Sequence, residues 1–291
     1  MTIQKILVPF LTTQTGKCAL DAGIVMAKHF KAHLDVAHLR QQLMIPAGSY
    51  YPLAVNYIEQ NVDALKKAQD ELAAELKNLF TENAEKSGVN ILDDEKHDQS
   101  KGATAMWSDL DAKLPYDLAT RARVADMVVV ARQAGKAASY EFDILEDIIF
   151  QSGRPALVVD TERELSAFPQ TVMLAWDGGR EGARAMTAAL PILQQAEMVI
   201  VTAIGDMAWA VEPPERAAAF LRLHNVHATH LHVRDEKKQD SAEVFLDLTA
   251  KKKADLVVMG AYSHYKWREV LLGGFTRHML QNAQLPVLMS H

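Results

Sequence analysis

The chain has 291 residues, of which 49% are hydrophobic and 23% charged, and its formal net charge is −6 at pH 7. This composition can supply a globular core and argues against disorder, and its acidic balance does not favour a nucleic-acid partner. The unbroken apolar runs are far shorter than the roughly 20 residues of a membrane-spanning helix, so we expect no membrane segment. The single cysteine, Cys18, cannot form an internal disulfide, and we expect a cytoplasmic protein.

Short apolar runs rich in Val, Ile, Leu and Met recur along the chain. Their hydrophobicity is nearly continuous, which is typical of strands buried on both faces of a parallel sheet. They cover residues 5–10, 34–39, 125–131, 155–160, 171–176, 197–204, 254–260 and 286–290. Helical patterns lie between them, so the sequence predicts an α/β fold with doubly wound parallel sheets.

The same plan occurs twice. The stretch "ADMVVVA" near residue 126 corresponds to "ADLVVMG" near residue 255, and each half closes with a strand led by a proline. We predict two tandem domains, 1–162 and 170–291, separated by the polar stretch "TERELSAFPQ". The first half is longer because it contains an additional helix, predicted over about 56–86.

A carboxylate follows the first strand of the second half, in "WDGGREG". Ligands of open parallel sheets bind beyond the carboxyl ends of the strands, where the winding direction switches. Asp177 at such an end could accept hydrogen bonds from a ribose hydroxyl. It could equally cap the next helix, since Asp is a favoured N-cap residue. The sequence leaves both interpretations open.

The stretch "GAYSHYKWREVLLGGFTRHML", residues 260–280, follows the run 254–260. Its glycines Gly260, Gly273 and Gly274 allow the backbone to approach a ligand closely. Thr276 lies at the expected start of a helix, where free N–H groups and the helix dipole favour an anion. The alternative is a plain connection in which the glycines only form turns.

The position and spacing of this stretch resemble the universal stress protein family. That family carries a nucleotide motif, G-x2-G-x9-G-(S/T), directly after its fourth strand, and a short Pro-led fifth strand. The resemblance covers both halves and is most specific over residues 257–287. It implies a tandem two-domain member with five-stranded, Rossmann-like sheets of the adenine nucleotide α hydrolase-like type, packed as a pseudo-dimer about their fifth strands.

The resemblance implies that the second half binds ATP, alone or with Mg²⁺. On the family's motif, Ser263 stands in place of the middle glycine and Gly274 in place of the final Ser or Thr, which removes one hydroxyl from the site. Asp177 matches the ribose-binding carboxylate, and Ala203 falls where the family frames adenine. The implied nucleotide-binding set is Ala175, Asp177, Ala203, Met259, Gly260, Ser263, Gly273, Gly274, Phe275 and Thr276.

The first half lacks several of these features. Leu11 stands at the position of the carboxylate, and Ala131 and Ala134 replace the first two glycines. Acidic residues crowd the start of the next helix and would repel a phosphate. We therefore expect no nucleotide in this half. "LHNVHATHLH", near residue 227, holds four histidines, but no Cys or carboxylate lies among them, so we expect no metal site there.

The leading hypothesis is a stress-response binding protein that uses ATP to regulate an interaction with an unidentified protein partner. We expect a homodimer of tandem chains and no dedicated enzyme activity. Any ATP hydrolysis would be slow, because no general base is evident near the phosphates. Two alternatives are a nucleotide-independent scaffold and an adenylate-transferring enzyme, and the second lacks the SGGxDS-type phosphate loop that such enzymes carry.

Overall fold

The structure is a computed structural model. It describes residues 2–10, 12–39, 52–93, 98, 102–110, 115–132, 140–163, 165–205, 212–234, 240–261 and 274–291. The first half contains β1 (Lys5–Pro9), α1 (Thr13–Phe30), β2 (His33–Leu39), α2 (Pro52–Lys86), β3 (Asn90–Ile91), β4 (Thr104–Leu110), α3 (Pro115–Ala122), β5 (Met127–Arg132), α4 (Tyr140–Gln151) and β6 (Ala156–Asp160). The second half contains β7 (Thr171–Ala175), α5 (Arg180–Ala188), α6 (Leu190–Leu193), β8 (Met198–Ile204), α7 (Pro214–Leu223), β9 (Ala228–Val233), α8 (Ser241–Lys252), β10 (Leu256–Gly260), α9 (Gly274–Asn282) and β11 (Val287–Ser290).

The described strands form one sheet in the order β3-β4-β2-β1-β5-β6-β11-β10-β7-β8-β9. All pairs are parallel except β6 with β11. In each half the chain winds outward from its first strand and then returns to that strand's other side. The switch point therefore lies between β1 and β5 in the first half, and between β7 and β10 in the second.

The two halves meet through their Pro-led strands. Backbone pairing of β6 with β11 joins Val158 to Val287 and Ala156 to Met289, so the two parallel arrays continue into one another. This is the fifth-strand pairing that the family resemblance implies. Arg132, at the end of β5, adds a contact across the junction by donating from Nη2 to the backbone oxygen of Ala283.

Helices cover both faces of the sheet, as the alternating strand and helix patterns predict. One buried cluster packs the sheet against α1, α2, α5, α6 and α7, and the other packs it against α3, α4, α8 and α9. Strands enclosed on both faces need apolar side chains at successive positions, which explains the continuous apolar runs.

The repeated "AD" before β5 and before β10 has a structural role. Asp126 accepts hydrogen bonds from the backbone N–H groups of Gln4 and Lys5, at 2.8 and 3.0 Å. Asp255 does the same for Gln170 and Thr171, at 3.0 and 2.9 Å. Each carboxylate satisfies N–H groups at the start of the adjacent first strand, so the repeated Asp holds the strands in register.

Candidate functional site

Five of the residues implied as nucleotide ligands come together at the switch point of the second half. Ala175, the last residue of β7, is the register partner of Met259 on β10 and of Thr202 on β8. Ala203 follows Thr202, Asp177 lies two residues beyond β7, and Gly260 ends β10. Because neighbouring strands lie about 4.8 Å apart, these residues surround one crevice at the carboxyl edge. Ala203 and Met259 are buried, and Asp177 is half-buried.

Asp177 does not cap α5. The N-cap of that helix is Gly179, which has no side chain to cap with, and Asp177 Oδ1 instead accepts a hydrogen bond of 2.8 Å from the Gly179 N–H. Gly178, between them, has φ of 76°, a conformation that favours glycine. Among the described residues, Asp177 Oδ2 has no protein partner, so one carboxylate oxygen is held in place by the turn and the other is available to a ligand.

Gly260 is fixed by packing against the start of α5. A Cβ at this position would stand 2.5 Å from the backbone nitrogen of Gly182 and 2.6 Å from the carbonyl carbon of Glu181. Backbone atoms cannot yield as a flexible side chain does, so only glycine fits. The requirement for glycine here therefore follows from the close approach of strand and helix, whether or not a phosphate binds.

The start of α9 supplies the residues implied as phosphate contacts. Gly274 is exposed, and a Cβ added there would meet nothing within 4 Å. Thr276 is buried. Phe275 is half-buried and packs its ring edge-on against Phe245 of α8, with centroids 5.7 Å apart. The predicted ligands Ser263 and Gly273 lie outside the described residues.

Sequence reasoning missed two residues beside this crevice. Trp176 directly precedes Asp177, and its buried indole donates from Nε1 to the backbone oxygen of Glu212, at 2.8 Å. This bond ties the segment leading into α7 to the end of β7. Glu181, in the first turn of α5, is a buried carboxylate beside Gly260. The position of Trp176 directly after a predicted strand could have identified it as a site residue. No sequence pattern indicates that Glu181 is buried.

The corresponding crevice of the first half contains a histidine. Strand register aligns Lys5 and His33 of the first half with Thr171 and Met198 of the second, so His38 corresponds to Ala203. His38 is 3% exposed and forms a 2.9 Å hydrogen bond from Nδ1 to Asp109. Its ring also stacks on Trp107, with centroids 5.7 Å apart. A methyl group in the second half thus stands where the first half has an imidazole ring.

Other first-half predictions concern Leu11 and Ala134, which lie outside the described residues. Ala131, in the position of Gly260, is described and is buried at the end of β5.

The histidines near residue 227 contact protein groups. His232 Nε2 lies 2.9 Å from the Gly205 carbonyl oxygen and His227 Nδ1 lies 2.8 Å from that of Glu197. His230 lies 3.5 Å from Glu215. Within the described part of the chain, no group of three or more His, Cys, Asp or Glu side chains is arranged to hold a metal ion.

The fold is doubly wound α/β, with a switch point at the carboxyl edge of each half. Residues 169–291 match the model of the universal stress protein family. These residues are therefore a universal stress protein domain. No curated protein matches the sequence significantly.

Solved structures share the fold over almost the whole chain. A universal stress protein from Archaeoglobus fulgidus DSM 4304 aligns with a TM-score of 0.66 and 13% identity, covering 98% of this chain and 97% of that one. A protein assigned to the same family in Pseudomonas aeruginosa UCBPP-PA14 aligns with a TM-score of 0.54 and 16% identity, covering 99% and 93%. A functionally unknown protein from Pseudomonas aeruginosa PAO1 gives 0.53 and 15%, covering 99% and 92%. The first half therefore shares the arrangement seen in these chains.

None of the described helices is both long enough and apolar enough to cross a membrane.

Proposed function

We propose that the chain binds ATP in its second half and acts as a regulatory binding protein. The observation that supports this most is the convergence of Ala175, Asp177, Ala203, Met259 and Gly260 at the switch point between β7 and β10. Small or apolar side chains there leave room for a base. A carboxylate oxygen that the protein leaves available suits a ribose hydroxyl, and the start of α9 offers N–H groups to phosphate.

The two proposed domains, 1–162 and 170–291, would have different roles. In the first domain, His38 fills the position of a base, so we expect it to act as a structural partner that binds no nucleotide. We further propose that the chains form homodimers, that nucleotide occupancy changes a surface for a protein partner, and that this occurs in the cytoplasm. The partner would respond to bound ATP and not to ATP hydrolysis, so we expect hydrolysis to be slow at most.

If Mg²⁺ takes part, it would bind together with the nucleotide. Asp177 lies at the carboxyl edge of the second half, and its carboxylate has the oxygen ligands that Mg²⁺ prefers. When bound with ATP, the ion would neutralise part of the phosphate charge.

A nucleotide-independent scaffold is the second candidate, and one observation favours it. Close packing against α5 fully explains why residue 260 is glycine, so this part of the family motif would be retained without a ligand. The fold would then serve only to present surfaces to partners.

Mass spectrometry of nucleotide released from the purified, denatured protein separates these candidates. We expect ATP to co-purify, or added ATP to bind at no more than millimolar concentration. If neither occurs, the scaffold is correct and the ATP proposal fails.

The variant Asp177→Ala tests the ribose contact, because an unchanged ATP affinity would show that this carboxylate has another role. Pyrophosphate release from ATP in the presence of an acceptor would instead indicate adenylate transfer.

A further inference from the structure

An exposed surface of the first half lies directly beside the crevice of the second half. The antiparallel pairing of β6 with β11 sets Ala156 opposite Met289, so the start of β6 and the end of β11 meet. The amino edge of the first half, where α3 and α4 end and β5 and β6 begin, is therefore adjacent to the carboxyl edge of the second half. Direct contacts can connect a ligand at one edge with a partner at the other.

A histidine makes this connection. His291 follows β11, and its ring lies edge-on against the ring of Phe150 of α4, with centroids 4.9 Å apart and an angle of 68° between the planes. Its Nδ1 lies 2.9 Å from the backbone oxygen of Ala261. Ala261 directly follows Gly260, at the start of the stretch implied to bind phosphate. His291 therefore joins α4 of the first half to the edge of the second half's crevice.

The surface around Phe150 combines apolar and basic groups. Phe150 is 43% exposed, and Val124, in the turn after α3, is 68% exposed. Arg123 joins them, because its Nε donates at 3.2 Å to the backbone oxygen of Gln151, which follows Phe150. Arg154 donates from Nε and Nη2 to the backbone oxygen of Arg123, at 3.1 and 2.7 Å. We refer to Val124, Phe150, Arg123 and Arg154 together as the basic–apolar surface.

This arrangement fits an acidic partner that carries apolar side chains. The two arginines are held by carbonyl groups near the ends of α3 and α4, so their guanidinium groups are fixed in place. A guanidinium has several N–H donors, and the bonds of Arg154 to Arg123 involve only its Nε and Nη2, so Nη1 can donate to a carboxylate. A second copy of this chain fits less well, because a symmetric contact would place the same cations against each other.

Acidic residues near this surface interact within the chain. Asp126 accepts hydrogen bonds from two backbone N–H groups at the start of the first half. Glu146 and Asp147 of α4 are half-buried and have interactions of their own. These acids lower the net positive charge of the surface, so we expect an acidic partner to need the apolar contacts as well.

We propose that the basic–apolar surface binds an acidic partner segment that carries apolar side chains, and that nucleotide occupancy of the second half changes its affinity. The first statement depends on the surface alone, and the second rests on the proposed nucleotide function. Phe150 and Val124 supply the apolar anchors, and Arg154 pairs with a carboxylate. A nucleotide bound along residues 260–280 acts on Ala261, and His291 transmits the change to Phe150.

Fluorescence anisotropy of a labelled peptide composed of Glu, Leu and Phe tests the surface on the full chain, with a peptide of Lys, Leu and Phe as its counterpart. Wild type should bind the acidic peptide about tenfold or more tightly than the basic one. Phe150→Ser and Arg154→Gln should each weaken binding of the acidic peptide by about fivefold or more. Arg154→Lys keeps the charge and should bind it more tightly than Arg154→Gln does. Should Phe150→Ser not fold, Val124→Ser removes the other apolar anchor.

Leu223→Ser and Arg184→Gln are the matched controls, since Leu223 is 84% exposed and Arg184 is exposed, both on the second half. Both variants should bind the acidic peptide as wild type does. Equal affinity for the two peptides, or equal losses in the surface variants and the controls, would overturn the inference. Self-association of the chain that Phe150→Ser abolishes would overturn it too, because the surface would then be an interface between copies.

Adding ATP tests the connection to the crevice. In a chain that binds ATP by calorimetry, the nucleotide should change the affinity for the acidic peptide by about threefold or more. His291→Ala should reduce this change to about twofold or less, because it removes the contact between Ala261 and Phe150. A peptide affinity that bound ATP leaves unchanged would overturn the connection. If the chain binds no ATP, the proposed function fails, whereas peptide binding without ATP decides the surface on its own.

Discussion

Two aligned residues, His38 and Ala203, give the two halves different crevices. His38 is held by Asp109 and stacks on Trp107, whereas Ala203 is a buried residue with only a methyl side chain. At this aligned position the halves therefore differ by a large polar ring against a methyl group.

We expect Ala203→His to weaken ATP binding by about tenfold or more, since the imidazole would occupy the volume of the base and bury a polar ring without its partner. Titration calorimetry measures the affinity, and thermal unfolding checks that the variant is folded. His38→Ala, at the aligned position of the first half, should leave ATP affinity unchanged. Equal affinity in Ala203→His and wild type would remove Ala203 from the site.

A substitution at Gly274 should strengthen ATP binding. Nothing lies within 4 Å of a Cβ added there, so a larger side chain fits without strain. Gly274→Ser restores the hydroxyl that the family motif carries. We expect ATP to bind about three- to tenfold more tightly, the value of one added hydrogen bond. Gly274→Ala is the control for the effect on the helix alone, and an equal gain in both variants would show that the hydroxyl does not reach the phosphate.

The sequence placed Asp177, Ala203 and Gly260 correctly at strand ends, because apolar runs mark where strands stop. It could not separate the two roles of Asp177, since the turn through Gly178 depends on backbone geometry. It also gave no sign that α5 approaches Gly260 or that Glu181 is buried, because both result from packing between distant elements.

At the scale of elements, the strands that were predicted as continuous apolar runs are those enclosed on both faces. β4 was not predicted, and only its first two residues are buried, while the other five are partly or fully exposed. β9 is not one of the predicted apolar runs either, and all its residues but the first are partly or fully exposed. Both lie at or next to a sheet edge, where one face needs less apolar cover. The long helix was predicted from 56 and begins at Pro52.

The connection between the halves docks on α1 through an aromatic stack. Phe168 lies against His29 with ring centroids 3.5 Å apart and an angle of 7° between the planes, and it meets Phe30 edge-on. Burial lowers the pKa of His29 below its ordinary 6.5, because the charged imidazolium loses hydration there. The unfolded chain therefore binds a proton at higher pH than the folded chain does. The stabilisation is present above pH 6.5 and is lost as the pH falls through the lowered folded pKa.

We expect His29→Phe to gain stability relative to wild type as the pH is lowered from about 7.5 to about 5, because phenylalanine keeps the stack and cannot be protonated. The measurement is the difference between the two unfolding temperatures at each pH. A difference that stays constant over this range would show that His29 does not report on the docking of Phe168.

At the scale of the whole molecule, the antiparallel pair β6 and β11 makes one sheet of two parallel arrays. Arg132 secures this junction: Nη2 lies 3.2 Å from Asp160 Oδ2 and also donates to the Ala283 carbonyl. Burial lowers the pKa of the Arg132 guanidinium, and the Asp160 charge opposes that shift. The family resemblance implied the pairing of the two Pro-led strands, and the duplication was visible in the sequence. This charged contact was not, because Arg132 and Ala283 lie far apart in the chain.

Arg132→Met should reduce the free energy of unfolding by about 3 kcal/mol, because it leaves the buried Asp160 carboxylate without its cation. Chemical denaturation measures the loss. Arg123→Met, which removes an exposed arginine that donates to the Gln151 carbonyl, should cost about 0.5 kcal/mol or less. Equal losses in the two variants would show that the junction does not depend on the buried ion pair.

The stoichiometry of ATP binding to the full chain, measured by calorimetry with Mg²⁺ present, tests the central claim most directly. The two aligned crevices differ at His38 and Ala203, so the account predicts one ATP for each chain. It also predicts that Ala203→His abolishes or severely weakens this binding while His38→Ala leaves it intact. Two nucleotides per wild-type chain, or none at millimolar ATP, would contradict it.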